Sequence, residues 1–287
     1  MTGVFNDIHP SGLVIFLLIL ITGLFLKKAF CSWICPFSLV SEYLAGIHKL
    51  IFRKMKSLPV WLDYPLRSIK YLLLFFFAWA IFVIMDTASL EKFILSPYNK
   101  IADIKMLYFF TEMSALTFWV LLSLVALSIL IPYFWCRYLC PYGALLGFAS
   151  LFSVFKVSRN RSSCIDCGKC AKVCPSRLKV DQVKTVLSDE CHACLKCADA
   201  CPVKDTLYIS AGNRGRKIPR KYFAVIIVGL FLLGTLTANI LGYWKNGISN
   251  REYLHHIEHL DDPDYFHNRG EVPDYDPLDT YNQESEE

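Results

Sequence analysis

Charge and glycine are what this chain has least of. Only 19% of its 287 residues are Asp, Glu, Lys or Arg and 14 are Gly, against 54% hydrophobic and 15% aromatic residues and a mean hydropathy of +0.38. That balance excludes an ordinary soluble domain and predicts membrane segments. The first twelve residues contain no Lys or Arg, and no small-residue cleavage site follows them. The first apolar run therefore reads as a retained helix, not a removed secretory signal. No nucleic-acid partner is expected.

Four apolar stretches stand out: Leu13 to Phe30, Tyr71 to Met85, Leu116 to Trp135 and Tyr222 to Trp244. The first two need flanking residues to complete a span, whereas the last two are long enough alone. Of the 30 Lys and Arg, eight lie between Lys27 and Lys70 and sixteen between Arg137 and Lys221, leaving three in Asp86 to Met106 and three from Lys245 onward. Loops rich in basic residues stay cytoplasmic. The expected protein is multi-pass in a bacterial cytoplasmic (inner) membrane, with both termini external.

Eight of the twelve cysteines form two runs, Cys164-x2-Cys167-x2-Cys170-x3-Cys174-Pro175 and Cys191-x2-Cys194-x2-Cys197-x3-Cys201-Pro202. Three thiolates spaced three apart reach three corners of an iron–sulfur cubane, and the fourth Cys of each run serves the other cluster. Crosswise ligation assigns Cys164, Cys167, Cys170 and Cys201 to one 4Fe–4S cluster and Cys191, Cys194, Cys197 and Cys174 to the second. Paired zinc sites are the alternative, but zinc has no use for the third Cys or for the x3-Cys-Pro ending. A reducing cytosol suits such thiols.

The other four cysteines repeat a second unit. Cys31-Ser-Trp-Ile-Cys35-Pro36-Phe37 and Cys136-Arg-Tyr-Leu-Cys140-Pro141-Tyr142 both read Cys-x3-Cys-Pro-aromatic at a cytoplasmic helix end. Each precedes a short apolar or amphipathic stretch that the proline can start as a helix at the membrane interface. Two such units predict a pseudo-twofold pair whose thiols share one site. Twelve cysteines make three sets of four, which favours a third iron–sulfur cluster; a redox thiol pair, zinc or purely structural cysteines remain open.

These residues resemble a family, the membrane ferredoxins of the NapH type, with the same layout in the membrane halves of NosR-like and FixG-like proteins. The likeness covers roughly Leu13 to Ser210 and is carried by Cys31, Cys35, Pro36, Cys136, Cys140, Pro141 and the eight ferredoxin cysteines. It implies electron passage from the quinol pool to a redox partner. No long flavin-binding domain precedes the first helix and no β-domain follows the last cluster, and a further helix and an acidic tail are added, so a different partner complex is expected.

The expected fold is an α-helical integral membrane protein with an inserted bacterial-type ferredoxin module of small α+β form carrying two 4Fe–4S clusters. Its parts are an external N-terminus (1–12), a membrane domain with the two repeats (13–157), the cytoplasmic module (158–221), a C-terminal span (222–244) and an acidic external tail (245–287). The tail carries twelve acidic against three basic residues. It reads either as a solvated end or as an arm docking on an external cytochrome or reductase, through Asp262 to Phe266 and Pro273 to Pro277.

A bound quinone would want acid–base groups near its headgroup, and Asp86, Glu112 and His48 are candidates, each equally an interfacial polar residue. His192 is expected to be exposed beside the sulfurs. His255-His256-Ile257-Glu258-His259 matches a zinc-peptidase pattern, but an acidic tail cannot build that cavity. His255 and His259 read instead as a solvated helical turn, with metal ligation or a partner haem as the sharper alternative. The basic run Arg214 to Lys221 would attract acidic partners or anionic lipid, and it is also what a cytoplasmic location demands. The functional expectation is an electron-transfer subunit between the quinone pool and a redox partner. A maturation factor supplying electrons to a metalloenzyme and a structural metal-binding anchor are the alternatives.

Overall fold

The computed structural model describes residues 8–52, 58–211 and 217–260. The first half of the chain is helical: α1 (Pro10–Phe25), α2 (Ala29–Trp33), α3 (Pro36–Phe52), α4 (Val60–Trp79, continued by a π-helical turn Ala80–Ile84), α5 (Thr87–Leu95), α6 (Pro97–Lys100), α7 (Ala102–Thr111) and α8 (Ala115–Leu130). A second π-helical turn, Trp135–Leu139, leads into α9 (Pro141–Leu151). Then come β1 (Phe155–Arg159), α10 (Lys169–Lys172), α11 (Lys196–Asp199), β2 (Leu207–Ala211), β3 (Lys217–Ile218), α12 (Arg220–Ile240) and α13 (Asn250–Glu258). Prolines open α3, α6 and α9, where the missing N–H is one of the donors a helix start leaves unpaired anyway.

Two compact units emerge, one of Met1–Val14, Phe77–Val120 and Thr237–Glu287, the other of Ile15–Phe76 and Leu121–Leu236. The second holds all twelve cysteines. Its antiparallel sheet has the order β1-β2-β3, with β1 and β2 in register from Phe155↔Ala211 to Arg159↔Leu207 and Ile209 opposite Ile218. Val157, Val180, Val186, Leu207 and Ile209 form a core together with Cys170, Cys191 and Cys197, and the same core takes in Leu26, Ala29, Phe223 and Ile227 from the helical part. The cysteine loops and the helices thus share one hydrophobic interior.

Within that unit the helices pack through small residues. A Cβ on Gly234 of α12 would lie 2.5 Å from Leu18 of α1, and one on Gly23 of α1 would lie 2.9 Å from Leu146 of α9. Close backbone approach of this kind is how helices associate where little water is displaced.

Among the described residues two helices are long and apolar enough to cross a membrane, Trp61–Ile84 and Arg220–Ile240, and α7 with α8 would form a further span only across an 80° bend. Tyr222 to Trp244 is long enough alone and Tyr71 to Met85 is completed by flanking residues, both as expected, whereas the other two stretches fall short. The run around Tyr71 to Met85 is extended to 24 residues by the preceding, partly charged turns, with Pro65 tolerated inside the helix. Leu116 to Trp135, expected to stand unaided, stops at Leu130, because Pro132 disfavours helix in the residue before it and Tyr133 takes a φ of +63°. Leu13 to Phe30 likewise stops at Phe25, with Lys27 at φ +61°. At 16 residues each, α1 and α8 reach about 24 Å, short of the roughly 30 Å of a hydrocarbon core.

In the first unit, α13 packs on α6 and α7 around buried Ile101 and Leu260, backed by Ile104, Tyr253 and Ile257. Lys100 pairs with Glu252 at 2.6 Å, Lys105 donates to the Leu260 carbonyl at 2.9 Å, and Tyr253 donates to Asp103 at 2.6 Å. The beginning of the acidic segment is therefore a docked helix and not a solvated arm. The motifs Asp262 to Phe266 and Pro273 to Pro277 lie outside the described residues, as does the start of the Arg214 to Lys221 run.

Candidate functional site

The two cysteine runs fold into near-copies of one loop. In the first, Asp166 and Gly168 take φ of +50° and +66°; in the second, Ala193 and Leu195 take +48° and +62° at the matching positions. Short helices α10 and α11 start directly after Gly168 and Leu195. Left-handed residues alternating with right-handed ones turn successive N–H groups to one side, the concave nest that holds anions and iron–sulfur groups. Leucine in the left-handed region costs about 1–2 kcal/mol. Leu195 offsets this by burying its side chain to 4% exposure, which contributes roughly 2 kcal/mol.

The loops divide the cysteines crosswise. Cys164, Cys167, Cys170 and Cys201 line one pocket, with Arg159 and Gly168 in its wall. Cys174, Cys191, Cys194 and Cys197 line a second, walled by Leu178, Val180 and Leu195. All twelve thiols are free. Burial pushes the Cys170 and Cys191 thiols up and Cys194 to about 11, so these pockets favour neutral thiols until a cation draws the proton off. Among the described residues no three His, Cys, Asp or Glu converge closely enough to hold a single metal ion. Two crosswise sets of four thiols on nest-forming loops, each with a third Cys and an x3-Cys-Pro ending, fit a cubane better than a tetrahedral zinc. Arg159, almost fully buried, donates to Cys164 Sγ at 3.2 Å and to Asp166 at 3.3 Å.

The Cys-x3-Cys-Pro units also form one repeated turn. Cys35 N donates to Phe30 O at 3.0 Å and Cys140 N to Trp135 O at 3.0 Å, in each case a five-residue closure from the second Cys to the residue before the first. The two copies meet: Ser41 of α3 lies 3.5 Å from Cys136 Sγ. Burial pushes Cys31 up to about 12, opposed by Lys28 and reinforced by Cys35, Cys140 and Cys136; Cys136 rises to about 11 through burial, with Cys140 and Cys35 adding to it against the Ser41 hydrogen bond. All four thiols therefore stand within electrostatic reach of one another.

A buried polar network that the sequence reading missed ties these turns to the second cysteine loop. Arg137 grips Asp63 of α4 with two hydrogen bonds of 3.0 and 2.9 Å and donates to Ser176 O at 2.9 Å, while Tyr138 donates to Asp63 at 2.6 Å. Lys70 pairs with Glu190, Tyr71 donates to Asp189, and Lys27 donates to Ser188 O at 3.0 Å. Ser32 and Trp33 donate to the carbonyls of His192 and Ala193. One signal was available: Asp63 and Lys70 are ionisable residues within an apolar helix, where such groups need named partners.

The other sequence candidates have structural roles. Asp86 caps α5 by accepting from Ser89 N at 2.8 Å, and Glu112 is the exposed C-cap of α7; both belong to the first unit. His48, in the second, is fully buried, with Nδ1 2.7 Å from Ile129 O and its ring against Phe52. His192, expected to be exposed, is half-buried, since the loop that carries it is pressed onto α2. His255 and His259 stack at 4.3 Å on α13, and His256 between them turns inward beside Glu252.

Residues 8–55 and 111–160 match the family model described as 4Fe-4S binding domain, and 156–216 match the 4Fe-4S dicluster domain. Together with the cysteine cavities these define a ferredoxin-type iron–sulfur protein. The chain is 43% identical over 261 residues to the "Putative electron transport protein YccM" of Escherichia coli (strain K12), covering 88% of this chain and 72% of that protein. It is 26% identical over 176 residues to the ferredoxin-type protein NapH of Haemophilus influenzae, 58% of this chain and 56% of that one. It is also 26% identical to the regulatory protein NosR of Stutzerimonas stutzeri, over 58% of this chain and 22% of that one. The chain belongs to the NapH-like polyferredoxin family of electron-transport proteins. No solved structure matches it.

Proposed function

We propose that this protein is a membrane-bound electron-transfer subunit that passes electrons between the quinone pool and a redox partner, without substrate chemistry of its own. The observation that carries this reading is the crosswise division of eight cysteines between two nested cavities. Cys164, Cys167, Cys170 and Cys201 would hold one 4Fe–4S cluster, Cys174, Cys191, Cys194 and Cys197 the second, and Cys31, Cys35, Cys136 and Cys140 a third. The clusters supply one-electron storage. The chain's residues supply thiolates, inward N–H groups and apolar walls that exclude water and set potential.

The membrane reading is supported by inverted amphipathicity. On α3 the inward positions are Ser41, Ala45 and His48, whereas Phe37, Leu39, Tyr43 and Leu50 face outward. Large apolar patches of this kind mark a lipid or partner surface. With 24 of 30 basic residues in two segments, 27–70 and 137–221, the cysteine loops are assigned to the cytoplasmic side and the termini to the other. A labelling map of single introduced cysteines tests this assignment.

A mixed polar and aromatic pocket of about 170 Å³, lined by Trp33, Glu42, Tyr133, His192 and Lys196, has Cys194 in its wall. Glu42 and Lys196 pair across it at 2.6 Å. It replaces Asp86, Glu112 and His48 as the place for a quinone headgroup, because acid–base groups and a cluster-bearing loop meet there. Full-length protein purified without air should be brown, with about twelve irons by this ligand arithmetic, and should be reduced by a quinol analogue in wild type but poorly in Glu42→Gln. A colourless, iron-free preparation would overturn the proposal.

A further inference from the structure

Lys28 has a place that neither the ferredoxin reading nor the packing explains. It is 1% exposed, directly follows the left-handed Lys27 at the start of α2, and its backbone carbonyl accepts from Cys31 N at 3.1 Å. Its Nζ atom is buried and makes no hydrogen bond. The neighbouring buried groups bond elsewhere: the Glu190 carboxylate feels the Lys28 charge but pairs with Lys70, and Lys27 donates to the Ser188 carbonyl. Lys27, Lys28 and Lys70 thus share two carboxylates, Asp189 and Glu190. Its field acts on Cys31, Cys136 and Cys140 on one side and on Cys191 and Glu190 on the other. A buried cation with no hydrogen bond, balanced only in part by a carboxylate it shares with Lys70, is unfavourable, and four neutral thiols add nothing to that balance. An anionic group held by four thiolates does.

We propose that Lys28 is the counter-charge of an anionic tetrathiolate iron–sulfur group bound by Cys31, Cys35, Cys136 and Cys140, and that the same ammonium raises the reduction potential of the neighbouring centre at Cys174, Cys191, Cys194 and Cys197. It is a positioning residue, acting by its field and not as a ligand. The inference rests on the reading of the twin motif as a cofactor site. The centre at Cys164, Cys167, Cys170 and Cys201 has its own cation, Arg159, and serves as an internal control.

The test uses full-length protein purified without air as wild type, Lys28→Met, Lys28→Arg and Cys136→Ala, with iron content and redox titration followed by electron paramagnetic resonance. Lys28→Met should shift the twin-motif signal to more negative potential by about tenfold in the redox equilibrium, 59 mV for one electron, or abolish its loading. The Cys174 centre should move less in the same direction, because Lys27 also acts on Cys191, and the Cys164 centre should stay put. Lys28→Arg, which keeps the charge, should preserve the wild-type signals. A loaded Lys28→Met with unmoved potentials would overturn the role of Lys28 alone. So would equal damage by Lys28→Arg while the Cys164 signal persists, since that would mean shape and not charge. Wild type and Cys136→Ala with identical iron content would overturn the twin-motif site, and the inference with it.

Discussion

At the residue scale, the burial of a few charges decides more than their number. Arg137 sits in the middle of a cysteine motif, where it reads as one more cytoplasmic basic residue, yet it is 4% exposed and joins α4 to the end of the first cysteine run through Asp63 and Ser176. Breaking a buried pair from one side costs about 3–5 kcal/mol, because the other charge stays behind. Arg67, also 2.5 Å from Asp63, softens this toward the lower end. Arg137→Ala should therefore lower the thermal midpoint, followed by iron–sulfur absorbance, and bleach the centre nearest Ser176 first. A melt indistinguishable from wild type would refute that role.

His256 gives the pH dependence at the same scale. Its pKa is lowered to about 4, by burial first and then by the Lys100 ammonium, with Glu252 opposing them and His255 adding to the repulsion. The unfolded imidazole binds its proton near pH 6.5, so between there and pH 4 the unfolded state holds more protons. The contribution is full above about pH 7 and is lost as pH falls, by roughly 3 kcal/mol in all. Protection factors of the amides in Asn250 to Glu258, taken relative to the intrinsic exchange rate at each pH, should fall between pH 6.5 and 4 in wild type and much less in His256→Gln. A flat profile in wild type would contradict this account.

At the element scale, glycines separate packed helices from lipid-facing ones. A Cβ on Gly147 of α9 would meet the Asp189 carbonyl at 3.3 Å and the Tyr71 hydroxyl at 3.4 Å, while one on Gly46 of α3 would meet nothing within 4 Å. Gly147→Val should cost about 1–3 kcal/mol by overpacking against backbone that cannot retreat. Gly46→Ala should be neutral or stabilise by up to about 1 kcal/mol, since alanine loses less backbone freedom in a helix. Denaturation midpoints in one detergent decide both, and the reverse order would mean that α9 does not pack there. The proline-started helices and the alternating cysteine loops were legible because their cause is local. The ends of α1 and α8 were not, because hydropathy continues past Phe25 and Leu130 although the backbone turns at Lys27 and Tyr133.

For the whole molecule, cysteines stand in the hydrophobic core beside Val157 and Ile209, so iron and folding are coupled. Chelation of iron without air should loosen the sheet and the docked ends of α1 and α12 together, seen as lost protection of Phe155 to Arg159 and of the first turns of α12. Iron removal that left these amides protected would show a core that stands without metal. Acidic composition made the segment after Lys245 look solvated, yet its first helix docks through Ile257 and Tyr253, a contact whose partner lies about 150 residues away in sequence.

The amino-acid sequence by itself determined the cysteine grammar, the crosswise partition, the proline-initiated repeats and the greasy helical character, because each depends on spacing or composition over a few residues. Only the tertiary structure decided that Lys28, Asp63, Arg137 and Glu190 are buried around the cysteines, that His48 and Asp86 have structural hydrogen bonds, and that a polar pocket opens beside Cys194. Burial and pairing of charge depend on residues far apart in the chain, and no local pattern encodes which of thirty basic side chains will lose its water.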